Sequence, residues 1–256
     1  MADWSTIRAP DVASLAANGA IGLWPIGATE QHGSHLPTGF DTRAAGEVVA
    51  RAEHQLGDAV VVLPPLAIGA SEHWLTLGST LSLQPATLVL LINDVIRSAA
   101  QSGLRCLLIV NGHAGNTGPL LCALGSGQLP LTVRAVSYWN LVESDEIAAR
   151  CLDDDGGIGH AGEVETSIGL YLDPESVSSD RMTTPGQPLG TGPGSRRPLG
   201  MQSPEPEREA PQGVYGDPRR AHPDLGRFVI EQAASGLCSL VRELQLSEHV
   251  ATADPG

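Results

Sequence analysis

Imidazole and carboxylate side chains recur together in three glycine-rich stretches of this 256-residue chain. The first stretch spans residues 30–42, the second 111–116 and the third 159–167. Carboxylate and imidazole groups are the ligands with which hydrolytic enzymes hold divalent metal ions. The sequence therefore predicts a hydrolytic metal site built from the three stretches. The candidate residues are Glu30, His32, Asp41, His113, His160, Glu163 and Glu165.

The spacing within the stretches would let these side chains converge. Glu30 and His32 point to the same side of an extended segment, because residues i and i+2 do so. Asp41 follows nine residues after His32, and the glycine and proline residues between them can turn the chain back. His113 follows the apolar run 106–110, which predicts a position at the carboxyl end of a buried parallel strand. Open α/β sheets bind their ligands at that end.

Taken singly, these residues also have purely structural explanations. Glu30 could cap a helix, and Asp41 could be the N-cap of the helix that follows it. The sequence 111–113 could be an ordinary strand-to-helix turn. Glu163 and Glu165 could be first-turn carboxylates that interact with the helix dipole. The joint occurrence of the motifs at predicted strand and helix ends is what favours a common site.

The elements that must position these residues follow from hydrophobic periodicity. Apolar runs alternate with amphipathic ones, which is typical of α/β proteins. Strands are predicted over 21–26, 60–63, 104–110 and 131–138. Helices are predicted over 42–56, 84–96, 119–124, 165–172 and 227–244.

No internal repeat or domain boundary interrupts the chain. Its length and its 41% hydrophobic content suit one sizeable core, so we expect a single domain over residues 1–256. Glycine and proline crowd the stretch 185–218, for which we expect a long surface loop near the site or at a subunit contact. The alternative is a flexible excursion without a functional role. We expect residues 248–256 to form a disordered tail.

Composition and charge exclude several classes of function. A formal net charge of −14 and a pI of about 4.8 argue against a nucleic-acid partner, because such partners are bound by basic surfaces. All 15 residues counted as lysine or arginine are arginine, which excludes Schiff-base chemistry and a Walker-type phosphate loop. The four cysteines form no C-x-x-C pair, and we find no signal segment or membrane-spanning run. We expect a reduced, cytoplasmic protein with no membrane partner.

The glycine-rich stretches resemble the signature blocks of the creatininase family, also called the creatinine amidohydrolase superfamily. The specific blocks are 25–37 with Asp41, 111–116 and 160–167, and weaker ones are 69–83 and 213–218. They follow in the family's order and cover most of the chain. The resemblance implies a three-layer α/β/α fold with a mostly parallel central sheet.

The resemblance also implies two divalent metal ions, zinc and/or manganese and in some members iron. The family's metal ligands match, residue by residue, Glu30, His32, Asp41 and His113, with Asp41 as the bridging carboxylate. Creatininase itself has a glutamate where this chain has Gly115. In members with glycine there, the resemblance implies Glu165 as the fifth ligand, with Glu163 as the alternative.

His160 matches the active-site histidine of the family, which is placed to move a proton, and Glu163 is a second candidate for that role. Ala114 replaces a tyrosine of creatininase, which implies a roomier pocket and a substrate other than creatinine. The residues expected to contact substrate are Ser71, His73, Ala114 and Trp139.

The function implied is hydrolysis of a C–N amide bond, in a small molecule or a short peptide, by a hydroxide bound to two metal ions. The family includes cyclic-amide, formamide and terminal dipeptide hydrolases. One alternative is hydrolysis of another bond on the same fold, such as a C–C or C–O bond of a cyclic ketone or lactone. Another is a metal-binding protein without catalysis. The resemblance further implies a homo-oligomer, namely a hexamer.

Overall fold

The computed structural model describes residues 2–125, 127–152, 158–188 and 205–253 of the chain. Its strands are β1 (Ile21–Ile26), β2 (Val60–Val62), β3 (Cys106–Asn111) and β4 (Thr132–Ser137). Its helices are α1 (Ala9–Ala17), α2 (Phe40–Leu56), α3 (Pro85–Gln101), α4 (Thr117–Leu124), α5 (Ser144–Ala148), α6 (Glu163–Leu172), α7 (Pro206–Glu209) and α8 (Pro223–Ala253). None of the described helices is long and apolar enough to span a membrane.

The four strands form one parallel sheet in the order β2-β1-β3-β4. β1 pairs with β3 from Gly22 beside Leu107 to Ile26 beside Asn111, so the carboxyl ends of these two strands are adjacent. Every residue of both strands is buried. Their nearly continuous apolar sequences are what a parallel sheet covered on both faces requires.

Helices cover both faces of the sheet. Successive residues of β3 alternate between them, because side chains of a strand point to opposite faces in turn. Leu108 and Val110 pack in the cluster that contains α2, α6 and α8, whereas Leu107 and Ile109 pack with α3 and α4. The predicted three-layer α/β/α fold with a parallel central sheet is therefore confirmed.

The connections that follow β1 and β3 diverge to opposite faces. The crossover from β1 to β2 runs through α2, and the crossover from β3 to β4 runs through α4 on the other face. Such a divergence opens a crevice outside the carboxyl ends of the two strands. Here the crevice lies beyond Ile26 and Asn111, where the first two glycine-rich stretches begin.

The start of α2 differs from the expectation in a way that matters for Asp41. The helix begins at Phe40 with Gly39 as its N-cap, and no side chain provides a capping hydrogen bond. Asp41 therefore lies inside the first turn. The alternative that Asp41 acts as the N-cap is wrong.

The other predicted elements are present with shifted ends. All four strands lie within two residues of their predicted limits, and α4 and α6 each begin two residues earlier than expected. α8 continues through residues 248–253, so a disordered tail does not begin at residue 248, and 254–256 lie outside the described residues. Helix α1 was not predicted from the sequence, because it buries only Val12 and Ala16 and so has a weak hydrophobic pattern.

Candidate metal centre

The first glycine-rich stretch forms a loop that returns to the start of α2. The N–H of Glu30 donates a hydrogen bond to the carbonyl of Thr38 (2.9 Å), which closes the loop just before the helix. The first turn of α2 then carries Asp41 back to His32, whose Nε2 lies 3.0 Å from Oδ1 of Asp41. Glu30, His32 and Asp41 are all buried.

The second stretch is a turn held together by Asn111. Its Oδ1 accepts a hydrogen bond from the N–H of His113 (3.1 Å), and its Nδ2 donates to the His113 carbonyl (2.7 Å). Gly112 passes so close to α2 that a Cβ there would clash with the carbonyl oxygen of Asp41. This approach brings Nδ1 of His113 to 3.1 Å from Oδ2 of Asp41 and 3.3 Å from Oε1 of Glu30.

The third stretch enters α6 through a residue in the left-handed region. Ala161 has φ of 52°, which is uncommon for a residue other than glycine. Its N–H donates a 2.6 Å hydrogen bond to Oε2 of Glu165, in the first turn of α6. The same carboxylate oxygen lies 3.7 Å from Nε2 of His32. The third stretch thus brings a buried carboxylate to the side chains of the first.

Glu163 faces away from this cluster. Two residues on a helix are separated by about 200° around its axis, so Glu163 and Glu165 cannot face the same point. Oε1 of Glu163 instead accepts a hydrogen bond from the N–H of Leu152 (2.7 Å). Of the two alternatives for a fifth ligand, the cluster contains Glu165.

The described residues include three overlapping groups in which potential ligand atoms lie within 4.8 Å of one another. The groups are Glu30, His73 and His113; Glu30, His32 and His160; and His32, Asp41 and Glu165. Asp41 connects its neighbours through different atoms, because Oδ1 faces His32 and Oδ2 faces His113. Each oxygen of this carboxylate could therefore bind a different cation, as in two-metal sites.

Contacts with backbone carbonyls determine which ring nitrogen of His32 and of His113 faces the cluster. Nδ1 of His32 lies 3.1 Å from the carbonyl oxygen of Glu30, and Nε2 of His113 lies 3.1 Å from that of Ala70. A ring nitrogen that donates to a carbonyl carries the proton, so the other nitrogen of the neutral ring presents a lone pair to the cluster. Metal-bound histidines are oriented by hydrogen bonds of this kind.

The carboxylates lack the partners that buried charges require. Both carboxylate oxygens of Glu30 and Oδ2 of Asp41 are buried and accept no hydrogen bond from the described residues. No arginine in the described part of the chain forms an ion pair with Glu30, Asp41 or Glu165. Burying carboxylate oxygens that accept no hydrogen bond is costly. Oxygen and imidazole donors in this arrangement fit divalent cations.

The pKa values of the cluster indicate the same need for positive charge. Burial by itself would lower the pKa of His32, but the carboxylates of Asp41 and Glu165 outweigh it and raise that pKa to about 10. Burial raises the pKa of Glu165 to about 7, although His32 opposes the change. Cations that bound here would take the place of the protons that these pKa values assign to His32 and Glu165.

His160 lies beside the cluster with one ring nitrogen engaged. Its Nε2 lies 2.7 Å from the carbonyl oxygen of Gln31, and its Nδ1 lies 3.4 Å from Oε1 of Glu30. Burial, followed by the charge of His32, lowers the pKa of His160 to about 3, so its ring is neutral at pH 7. Trp74 stacks on the ring with centroids 4.5 Å apart. A neutral imidazole fixed in this way can accept and return a proton at Nδ1.

The described flanks of the predicted loop 185–218 contact the site, whereas residues 189–204 lie outside the described residues. The N–H of Tyr215 donates to the carbonyl of His160 (2.8 Å). Nε2 of Gln31 donates to the carbonyl of Gly213 (3.4 Å). This part of the chain therefore holds the backbone and side chains around His160.

Gln31 and Trp74 also contact the site, and their roles were not predicted from the sequence. Gln31 lies between two candidate ligands, and Trp74 directly follows His73, but neither position indicates a contact with His160. Trp74 is buried against Tyr215, which is far along the chain. Only the fold brings these residues together.

The four residues expected to contact substrate lie in different surroundings. His73 is half-buried and stacks on His113, with ring planes 4° apart and centroids separated by 5.8 Å. Ser71 is fully buried with Oγ 3.2 Å from Nε2 of His113, so it contacts a candidate ligand. Ala114 is exposed. Trp139 is half-buried after β4 and packs against the hydrophobic cluster that includes residues of α8.

Gly115 occupies a position with no space for a side chain. A Cβ there would clash with the carbonyl oxygen of Ala70 and with Nε2 of His113. A longer side chain such as that of glutamate therefore does not fit the turn as it is folded here. The carboxylate beside His32 comes from Glu165 instead.

Comparison with known proteins identifies the family of this chain. The sequence model named Creatininase, described as creatinine amidohydrolase, matches residues 5–241. The chain belongs to the creatininase family. The expected family resemblance is thereby confirmed.

Two kinds of relative are similar over most of their length. The mycofactocin precursor peptide peptidase of Mycobacterium ulcerans (strain Agy99) is 33% identical over 231 residues, which are 86% of this chain and 83% of the relative. The creatinine amidohydrolase of Pseudomonas putida is 29% identical over 248 residues, which are 90% of this chain and 92% of the relative. Both names describe hydrolases that act on amide bonds.

Solved creatininase structures share the fold of this chain. A crystal structure of creatinine amidohydrolase (creatininase) has a TM-score of 0.80 at 25% identity, covering 94% of this chain and 97% of that one. A mutant creatininase of Zn-Zn type has a TM-score of 0.78 at 26% identity, with coverages of 94% and 97%. A structure named Creatininase Mn has a TM-score of 0.78 at 26% identity, covering 94% of this chain and 98% of that one. Creatininase neighbours thus carry zinc or manganese.

Proposed function

We propose that this protein is a metal-dependent amidohydrolase that cleaves a C–N amide bond of a small molecule or short peptide with two divalent cations. The observation that carries the proposal is the position of Asp41, whose two carboxylate oxygens face His32 and His113 separately. The cluster around Asp41 is buried, and no described arginine balances its carboxylates. Membership of a family of amide hydrolases supports the same function.

The described residues divide into two sets of potential ligands that share Asp41. One set is Glu30, Oδ2 of Asp41 and Nδ1 of His113, with His73 beside it. The other is Nε2 of His32, Oδ1 of Asp41 and Glu165. Carboxylate and imidazole donors without thiolate suit zinc, manganese or iron, and zinc and manganese are named for creatininase neighbours.

Two cations bound here would supply an acidified water and polarise the amide carbonyl. The residues of the chain would orient that chemistry and move its protons. His160 is the proposed proton carrier, because it is neutral at pH 7 and its Nδ1 faces the cluster. It would take a proton from the attacking water and return it to the leaving nitrogen. Gln31 and Trp74 would hold the ring in position.

The substrate that we propose is a compound with an amide bond, either a small molecule or a short peptide. The relatives named as peptidases act on a precursor peptide, whereas the creatinine amidohydrolase acts on a small cyclic compound. Ala114 is exposed and has no side chain beyond Cβ, which supports a substrate that is larger than creatinine. A cytoplasmic location and a homo-oligomer stay predictions.

The test combines metal binding with product analysis. Protein freed of metal with a chelator would be titrated with zinc or manganese by calorimetry, and the loaded protein incubated with cyclic amides, formamides and short peptides. We expect two equivalents per chain and release of an amine or amino terminus from one of these classes. Two bound equivalents with cleavage only of lactones or cyclic ketones would favour the alternative hydrolase. Metal binding without turnover of any class would favour a non-catalytic protein.

A further inference from the structure

His35 is a buried imidazole of the first glycine-rich stretch that the proposed function does not use. It lies three residues after His32, in the loop that leads from β1 to α2, and is 3% exposed. Its carbonyl accepts a hydrogen bond from the N–H of Ser178 (2.9 Å), beyond the end of α6. The loop is therefore attached to the segment that follows α6.

The ring of His35 forms a hydrogen bond near the start of α6. Its Nε2 lies 2.8 Å from Oγ1 of Thr166, the residue after Glu165. The hydroxyl of Thr166 donates to the carbonyl of Ala161 (3.3 Å), because a carbonyl can only accept. A hydroxyl has one hydrogen, so Nε2 of His35 is the donor of the 2.8 Å bond. The contacts therefore assign the ring proton of His35 to Nε2.

Burial favours the neutral ring that this assignment describes. Burial, followed by the charge of His32, lowers the pKa of His35 to about 4, although a hydrogen bond with the backbone of Ala161 opposes the change. The ring is therefore neutral at pH 7, and it carries one proton. A neutral imidazole with its donor nitrogen fixed can hold the hydroxyl of Thr166 in one orientation.

The hydrogen-bond chain ends at a backbone segment that orients two proposed functional groups. Ala161 is held at both polar backbone groups, because its carbonyl accepts from Thr166 and its N–H donates to Oε2 of Glu165 (2.6 Å). Its φ of 52° is a conformation that the surrounding structure must stabilise. His160 directly precedes Ala161, so this conformation also sets the direction in which His160 leaves the chain.

We propose that His35 is a positioning residue that fixes the turn at Ala161 through Thr166. The turn then directs the carboxylate of Glu165 toward His32. The proposal rests on the proposed two-cation function, and it gives a role to a histidine outside the ligand set. Groups that hold metal ligands by hydrogen bonds set their orientation, and loss of such groups weakens metal binding about 10-fold to 100-fold. His35 would touch neither the substrate nor a cation.

The test compares two substitutions of Thr166. Thr166→Val replaces the hydroxyl by a methyl group of similar size, whereas Thr166→Ser keeps the hydroxyl and is the matched control. In calorimetric titration with zinc, we expect Thr166→Val to bind one cation as the wild type does and the other about 10-fold to 100-fold more weakly. Thr166→Ser should bind both cations as the wild type does.

Substitutions of His35 test whether the effect begins at this ring. His35→Leu removes the donor and should weaken the same cation to a similar degree. His35→Gln places an amide N–H near the position of Nε2 and should restore most of the affinity. In the Thr166→Val background, His35→Leu should add little, because both substitutions break one interaction.

Nitrogen NMR of the metal-free protein tests the hydrogen bond without any cation. The neutral ring of His35 should carry its proton on Nε2, and a proton on Nδ1 would overturn the proposal. Wild-type affinities for both cations in Thr166→Val would also overturn it, even with a lowered melting temperature, because only a structural role would then remain. Wild-type protein that binds fewer than two cations would instead overturn the proposed function, and with it the role of His35 in cation binding.

Discussion

Nδ1 of His113 lies 3.1 Å from Oδ2 of Asp41. The contact joins the turn after β3 to the first turn of α2, and both side chains are buried. Burial would raise the pKa of Asp41, but the neighbouring His32 and His113 lower it. The carboxylate is therefore charged, and it depends on the imidazoles or on bound cations for compensation.

Asp41→Asn tests the shared position of Asp41 between two imidazoles. An amide lacks the negative charge that two cations would share, so the variant should lose at least one metal equivalent and its hydrolytic activity. The fold should persist, which circular dichroism would check alongside metal analysis. Asp94→Asn, at a highly exposed residue paired with Arg97 on the surface, is the control and should keep both metals. Asp41→Asn protein with two metals and wild-type turnover would contradict the shared position.

Glu165→Gln and Glu163→Gln distinguish the two alternatives for the fifth ligand. Both substitutions make the same chemical change two residues apart in α6. Glu165→Gln should weaken the binding of one cation about 10-fold or more, because its carboxylate faces His32. Glu163→Gln should keep both affinities, because the amide oxygen can still accept the hydrogen bond from Leu152. Calorimetric titration of the two variants with zinc would show the opposite pattern if Glu163 were the ligand.

His73→Ala separates a ligand from a substrate contact. A ring nitrogen of His73 lies within 4.8 Å of potential ligand atoms of Glu30 and His113, so we expect weaker binding of one cation. His54→Ala removes an exposed imidazole at the end of α2 and serves as the control, with no expected change. A raised KM with unchanged metal affinity would instead support the original prediction that His73 contacts substrate.

Gly115→Ala tests the close packing of the turn that carries His113. The added Cβ would clash with Ala70 and His113, so we expect the free energy of unfolding to fall by about 1–3 kcal/mol and metal binding to weaken. Gly118→Ala is the matched control, because a Cβ there meets no atom within 4 Å. In α4 that change should raise stability by about 0.5–1 kcal/mol. Equal denaturation midpoints for the two variants would refute the packing argument.

The expected homo-oligomer can be tested by light scattering at micromolar concentration. Leu90 in α3 and Leu121 in α4 are 67% and 70% exposed, and burial of such apolar side chains would favour association. We expect a mass that is a multiple of the 26.6 kDa chain, up to six copies. A monodisperse species at the mass of one chain would contradict the prediction.

Much of the site could be predicted because its signals are local. Strand and helix positions follow from hydrophobic periodicity, which local sequence carries. The ends of β1 and β3 could be predicted in the same way, and parallel strands bring such ends to one edge of the sheet. The candidate ligands Glu30, His32 and His113 could thus be named from residue type, spacing and resemblance alone.

Only the tertiary structure shows how close distant segments lie and which side of each helix faces the site. The sequence left Glu165 and Glu163 as alternatives for the fifth ligand, and only the packing of α6 places the carboxylate of Glu165 beside His32. Only the structure excluded the alternative that Asp41 caps α2, because Gly39 is the N-cap and Asp41 lies in the first turn. The stacking of Trp74 on His160 and the hydrogen bond between His35 and Thr166 join segments far apart in the chain. Local residue patterns carry no signal for such contacts, because their geometry is set by the packing of the whole fold.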